Sequence, residues 1–256
     1  MSKAPSSKSL VAMVALNRPV IPKWSSIHSS LKARWSSCPE PREASVKDDT
    51  ITCFMGEELV VVSLMPAPIP WSDLEGPCAT AWWWPEATAR MRKHNSHLIV
   101  ALMGESGDLI ERHICLTYLV AAVAANTDAV GIYWGAGTVV HDPQVFQDQS
   151  AQLAADNLEP QLWVDMRLEQ NDDGSYRYFT TGMQAFGCLE LEIRKSRKAP
   201  DEILDFGYAI INYILTSGAT IKNGETIGRS ADEKIKVRHK PSMWDKNRTV
   251  MDLAFV

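Results

Sequence analysis

Residues 63–86 read SLMPAPIPWSDLEGPCATAWWWPE. Ser63 to Met65 is the tail of an apolar run. Pro66, Pro68 and Pro70 end it, because proline lacks the N–H that a strand ladder needs. Trp71-Ser72-Asp73 reads as a turn in which Ser72 or Asp73 caps a short helical turn. The chain then crosses Gly76-Pro77 and reaches Trp82, Trp83 and Trp84 before Pro85. Three adjacent rings cannot share a face in either regular structure: in a strand, Trp82 and Trp84 point one way and Trp83 the other. Two readings stay open. The rings seal a sheet against a helix, or they form a partly exposed aromatic platform for a partner, since tryptophan is enriched at interaction hot spots. Exposure of Trp71 or of one of Trp82, Trp83 and Trp84 decides between them.

Working outward, Thr50–Met55 (TITCFM) and Glu58–Met65 (ELVVVSLM) flank Gly56-Glu57, which predicts a two-residue hairpin. Upstream, Leu10–Leu16 predicts a buried strand. Trp24, Ile27, Leu31 and Trp35 recur at helical spacing, and Cys38–Asp49 reads as a polar loop. Downstream, Pro85-Glu86 opens a helix and His97–Met103 is a strand. Gly107–Asn126 is the longest helix, apolar almost all round after Cys115, and so central to the core. Ala129–Trp134 is a further strand, and Asp142 caps a helix that Pro143 opens. This order predicts an α/β (α+β) fold with ferredoxin-like split β-α-β elements.

The second half reads as antiparallel. Leu162, Val164, Met166 and Leu168 alternate with polar residues along Gln161–Glu169, Asn171 to Gly174 turns the chain, and Ser175–Thr181 pairs back. Leu189–Arg194 carries Glu190 and Glu192 on one face, read as a solvated edge. Pro200–Ser217 is a helix ended by Gly218, followed by short strands at Ile235–His239 and Thr249–Phe255. Lys234, Lys236 and Arg238 alternate with Ile235 and Val237, the pattern of an exposed strand. The break at 155–160 is too short for a flexible linker. The expectation is one single mixed, mostly antiparallel sheet with helices packed on it, in a single α/β domain spanning 10–256 after a disordered N-terminus at 1–9.

The formal net charge is -5, which argues against a general nucleic-acid binder. No apolar run approaches the ~20 residues of a membrane span. Leu10–Leu16 is too short for a signal peptide and is broken by Asn17-Arg18-Pro19. The five cysteines are scattered without a CxxC pair and read as reduced structural thiols. A soluble cytoplasmic protein without a nucleic-acid or membrane partner is expected.

No standard catalytic motif is present. Gly135-Ala136-Gly137 lacks the glycine spacing or the Lys-Ser/Thr ending of a phosphate loop. The histidines form no HExxH, and His94 and His97 straddle a helix-to-strand join, so no metal or cofactor is expected. No G-x-S-x-G elbow occurs. His141 and Asp142 are adjacent and do not face each other as base and orienter. An enzyme reading requires Asp73, Glu86, Trp134 and His141 to converge at one sheet edge. The binding reading assigns no catalytic residue and places a partner surface among Trp71, Asp73, Trp82, Trp83, Trp84, Trp134 and His141.

MPAPIPWSDLEGPCATAWWWP, HLIVAL, GIYWGAGTVVHDP, LWVDMRL, FTTGMQAFGCLELEI and NGETIGRSADEKIKVRHKPS together resemble the bacterial family catalogued as domain of unknown function 4261. The likeness runs from Leu10 to Phe255. The resemblance implies a one-domain α/β protein of the bacterial cytosol and supplies no catalytic residue to transfer. By analogy alone, families of this kind include immunity proteins to secreted toxins, so a protein partner, a toxin or effector, is the implied ligand. A scaffold or assembly module is the third role weighed.

Overall fold

The Gly56-Glu57 turn closes the expected hairpin. β3 (Thr50–Met55) pairs antiparallel with β4 (Glu58–Met65), and Gly56 takes the left-handed conformation (φ 58°) that such a turn demands. The hairpin belongs to a computed structural model that describes residues 9–35, 37–104, 107–229 and 233–255. The disordered start expected at 1–9 lies outside the described residues except for Ser9, which opens β1 (Ser9–Leu16). The chain divides into two units, Met1–Trp163 and Val164–Val256.

In the first unit, β2 (Arg42–Lys47), β5 (Ser96–Met103), β6 (Ala129–Trp134) and β7 (Val139–His141) complete a seven-stranded sheet of order β2-β3-β4-β5-β1-β6-β7. Every neighbouring pair is antiparallel. One face is apolar along alternate positions, with Leu10, Ala12, Val14, Val60, Val62, Leu98, Val100 and Ile132 all buried. α4 (Leu109–Ala125) lies on this face, capped by Asp108 and buried without interruption from Leu116 to Ala124. That matches its all-round apolar sequence. α1 (Trp24–Arg34) and α5 (Pro143–Ser150) flank it. Asp142 caps α5 as expected, accepting from Gln144 N at 2.9 Å and Val145 N at 3.2 Å. The opposite face receives α2 (Trp71–Thr80) and α3 (Ala87–Met91).

The second unit holds a separate six-stranded sheet of order β11-β12-β13-β10-β9-β8. Its strands are β8 (Asp165–Gln170), β9 (Tyr176–Thr181), β10 (Leu191–Ser196), β11 (Thr226–Ile227), β12 (Ile235–Pro241) and β13 (Thr249–Phe255). β10 and β13 run parallel, and the other neighbours are antiparallel. α6 (Pro200–Ser217) packs on one face, with Phe206 against Phe255 at 5.2 Å, and Gly218 ends it at φ 63°.

Mixed α/β content is as expected, but two sheets replace the single sheet. The strand read at Gln161–Glu169 does not exist as one piece. Pro160–Leu162 is a turn of 3-10 helix, Trp163 Nε1 donates to Thr117 Oγ1 inside the first unit, and β8 begins at Asp165. The ferredoxin-like expectation also gives way: a split β-α-β sheet would place β1 between β4 and β5, whereas β4 pairs directly with β5 and β1 lies on the far side of β5.

Candidate functional site

The tryptophan stretch folds as helix, turn and helix rather than strand and helix. α2 carries Leu74 and Cys78 one turn apart on its buried side. Pro77 sits inside it, and the Thr80 hydroxyl donates to the Gly76 carbonyl at 2.9 Å. Neither Ser72 nor Asp73 caps the helix; Pro70 occupies the cap position with no side-chain bond, and Asp73 lies exposed in the first turn. The expected capping role is therefore corrected.

Successive tight turns then fan the three rings apart, with Trp82 N bonding Thr80 O and Trp84 N bonding Ala81 O, both at 2.9 Å. Trp84 turns inward against Ala87, Met91, Val130 and Val140. Gly131 on β6 makes that possible, since a Cβ there would meet Met91 Sδ at 2.1 Å and Trp84 Cη2 at 3.1 Å. Trp83 is half-buried and donates Nε1 to Val140 O at 3.1 Å. Trp82 stays 63 % exposed and stands edge-on to Trp83, centroids 5.6 Å apart at 84°. Trp71 is half-buried beneath the Arg92 guanidinium, 4.0 Å from its ring centroid, a cation–π contact. Burial, and after it the Asp73 charge, push the Tyr133 phenol up, which places Asp73 beside the same surface.

Trp134 and His141 are not part of it. Tyr133 and Val140 face the tryptophan side, so their neighbours Trp134 and His141 point to the opposite face of the sheet. Both are buried there around Phe146, with ring centroids at 6.4 Å and 5.2 Å. His141 Nε2 lies 3.2 Å from Leu162 O, and burial pulls its imidazole down to about 4. Glu86 is exposed at the start of α3. Asp73, Glu86, Trp134 and His141 do not converge, because two lie in solvent on one face and two lie in the core of the other.

A second cluster sits in the second unit, where sequence reasoning expected only a solvated strand edge. Glu190 and Glu192 are both buried. Glu190 accepts from Thr180 Oγ1 at 2.7 Å, Gly182 N at 2.9 Å and Gln184 N at 3.2 Å. Glu192 accepts from Ser242 Oγ and Met243 N. Its parallel-strand neighbour Asp252 accepts from Arg194 Nε at 3.0 Å and from Lys240 Nζ. Each carboxylate is spent on a loop or a cation, which makes the group a set of structural anchors. Lys236 and Arg238 are exposed while Ile235 and Val237 are buried, as the alternation predicted. Beside the anchors, Trp244 is 49 % exposed, its ring tilted at 37° to Phe179 with centroids 4.3 Å apart, and the Arg177 guanidinium lies 5.3 Å from its ring. Nothing in the local pattern of Ser242-Met243-Trp244 marks it in advance.

No curated protein and no solved structure matches the chain. Residues 179–254, which carry Phe179, Glu190, Glu192, Trp244 and Asp252, match the family described as Domain of unknown function (DUF4261), so the resemblance traced across the chain holds over this part of it.

Proposed function

We propose that this is a non-enzymatic binding protein of the bacterial cytoplasm that holds a protein partner against Trp82 and Trp83. One observation carries the reading: a tryptophan 63 % exposed, braced edge-on by a second ring that is itself pinned to the sheet. Rigid, pre-positioned aromatic surface loses little entropy on binding, and burying it at ~25 cal/mol per Å² supplies several kcal/mol. Asp73, Glu75 and Glu86 are exposed around the same helices, and the whole chain carries a formal charge of -5. A cationic partner suits both. Neutralising a secreted toxin, as an immunity protein does, is the role that joins these features, by analogy alone.

The test is co-expression with the toxin-like product of a neighbouring gene. Wild type should restore growth and co-purify with the toxin, and Trp82→Ala should lose both while keeping its fold. Absence of rescue and of a stable complex with wild type counts against the reading.

A further inference from the structure

Trp35, Ser37 and Cys38 lie along one side of α4. Trp35 stacks on Tyr118 at 5.3 Å and donates Nε1 to Ser150 O at 2.8 Å. The Ser37 side chain hydrogen-bonds Tyr118. A turn closed by Cys38 N and Trp35 O at 3.0 Å then brings Cys38 to Cys115, which lies one helical turn before Tyr118. The two thiols hydrogen-bond each other. Both are free and only partly buried, whereas Cys53, whose thiol also neighbours these two, is fully buried on β3. Cys78 and Cys188 have the charges of Arg92 and Glu190 as neighbours rather than a thiol.

We propose that Cys38 and Cys115 form an oxidation site, a dithiol that a hydroperoxide closes to an intrachain disulfide. One sulfur, as thiolate, attacks a peroxide oxygen. The S–O bond forms, the O–O bond breaks, and the released alkoxide or hydroxide takes up a proton. The second thiol attacks the sulfenyl sulfur, the S–S bond forms, the S–O bond breaks, and water leaves with the second thiol's proton. Two thiols are oxidised and one hydroperoxide is reduced to an alcohol and water.

The geometry selects the product. Three contacts fix the segment after α1 to the helix, so the second sulfur is already at hand when the first is oxidised. The Cys115 hydrogen bond, and after it burial, push the Cys38 thiol up, so the site reacts at the pace of an unactivated thiol rather than a peroxidase cysteine. Among the described residues no group of three His, Cys, Asp or Glu side chains could hold a metal ion. The bridge would tie the segment leading into β2 to α4 covalently.

The full chain is treated with hydrogen peroxide, alkylated, digested without reductant and mapped by mass spectrometry. The expected result is one linked peptide pair containing Cys38 and Cys115, and a loss of two of the five free thiols. Cys38→Ser and Cys115→Ser should each abolish the link, and Cys53→Ser should leave it intact, which keeps the test decisive if the helix variant folds poorly. Chains unfolded in guanidinium before peroxide should give mixed pairings instead. Five unreacted thiols, a bridge through Cys53, Cys78 or Cys188, or the same yield from unfolded chains overturns the proposal.

Discussion

Arg112 and Glu58 stand 54 residues apart in sequence and meet as a buried ion pair, with Nη2 donating to Oε2 at 3.1 Å and Nε lying 2.9 Å from Oε1. Nη2 also donates to the Gly104 carbonyl at 3.0 Å. The pair ties the start of α4 to the start of β4 and to the chain leaving β5. Gly104 has room for nothing larger, since a Cβ there would lie 2.8 Å from both Glu58 carboxylate oxygens.

Removing one partner strands the other charge in the core. Arg112→Met is expected to lower unfolding free energy by about 3–5 kcal/mol, while the double change Glu58→Leu with Arg112→Met recovers most of the loss. Urea titration of the two variants checks this, and equal losses would show that the charge pair is not the source.

The tryptophans separate by burial. Trp84→Ala should cost about 3–5 kcal/mol, because its ring fills the contact among Met91, Val130 and Val140. Trp82→Ala should stay within about 0.5 kcal/mol of wild type. Thermal melts of the pair test the assignment of one ring to the fold and the other to the surface.

Stability should fall in mild acid. His113 and His141 are pulled down to about 4 by burial, against 6.5 for the exposed side chain. Between those values the unfolded chain binds more protons than the folded one. Their contribution is complete above about pH 6.5 and is lost as the pH drops toward 4, at up to about 1.4 kcal/mol per pH unit for each group. Urea midpoints measured from pH 7.5 to 5 should decline, and His141→Phe should make the decline shallower. A wild-type curve flat across that range would refute it.

Gly207 in α6 sets two effects against each other. Alanine favours a helix over glycine by about 1 kcal/mol, but a Cβ at 207 would sit 2.3 Å from Tyr178 Oη and 2.4 Å from Cζ. Tyr178 is fully buried, so overpacking of about 1–3 kcal/mol prevails and Gly207→Ala should lower the melting temperature. Tyr178→Phe should raise it, by about 1 kcal/mol of stability, because Oη is buried without a hydrogen-bond partner among the described residues. Calorimetry on both variants reads the signs directly.

What the sequence made legible was whatever announces itself within a few residues. Gly56-Glu57, Asp142-Pro143 and Gly218 each carry their own local geometry, and the hairpin, the α5 cap and the end of α6 follow from them. The all-apolar run of α4 likewise had one reading. β2 escaped because all six of its residues are exposed, so no buried face imposes a period on them. α2 escaped because prolines before and inside it mimic a loop. Glu192 misled for a different reason. Its hydrogen-bond partners Ser242 and Met243 lie 50 and 51 residues away, and no local pattern records a partner at that distance. The candidate surface was half visible: four tryptophans were named from spacing, but only the turn at 81–84 decides which ring faces water.

β2 ends the first sheet with a row of backbone groups that no strand among the described residues covers. Such a row is a template on which another chain can crystallise into a cross-β stack. Here Arg42, Glu43 and Lys47 line it, and a register break between Arg42 and Ser45, with Glu43 at φ 55°, keeps it from lying flat. The irregular, charged segment that looked like a loop thus serves as a guard against fibre growth. A chain carrying Glu43→Val and Lys47→Val should seed thioflavin-positive fibrils at temperatures where wild type remains dispersed.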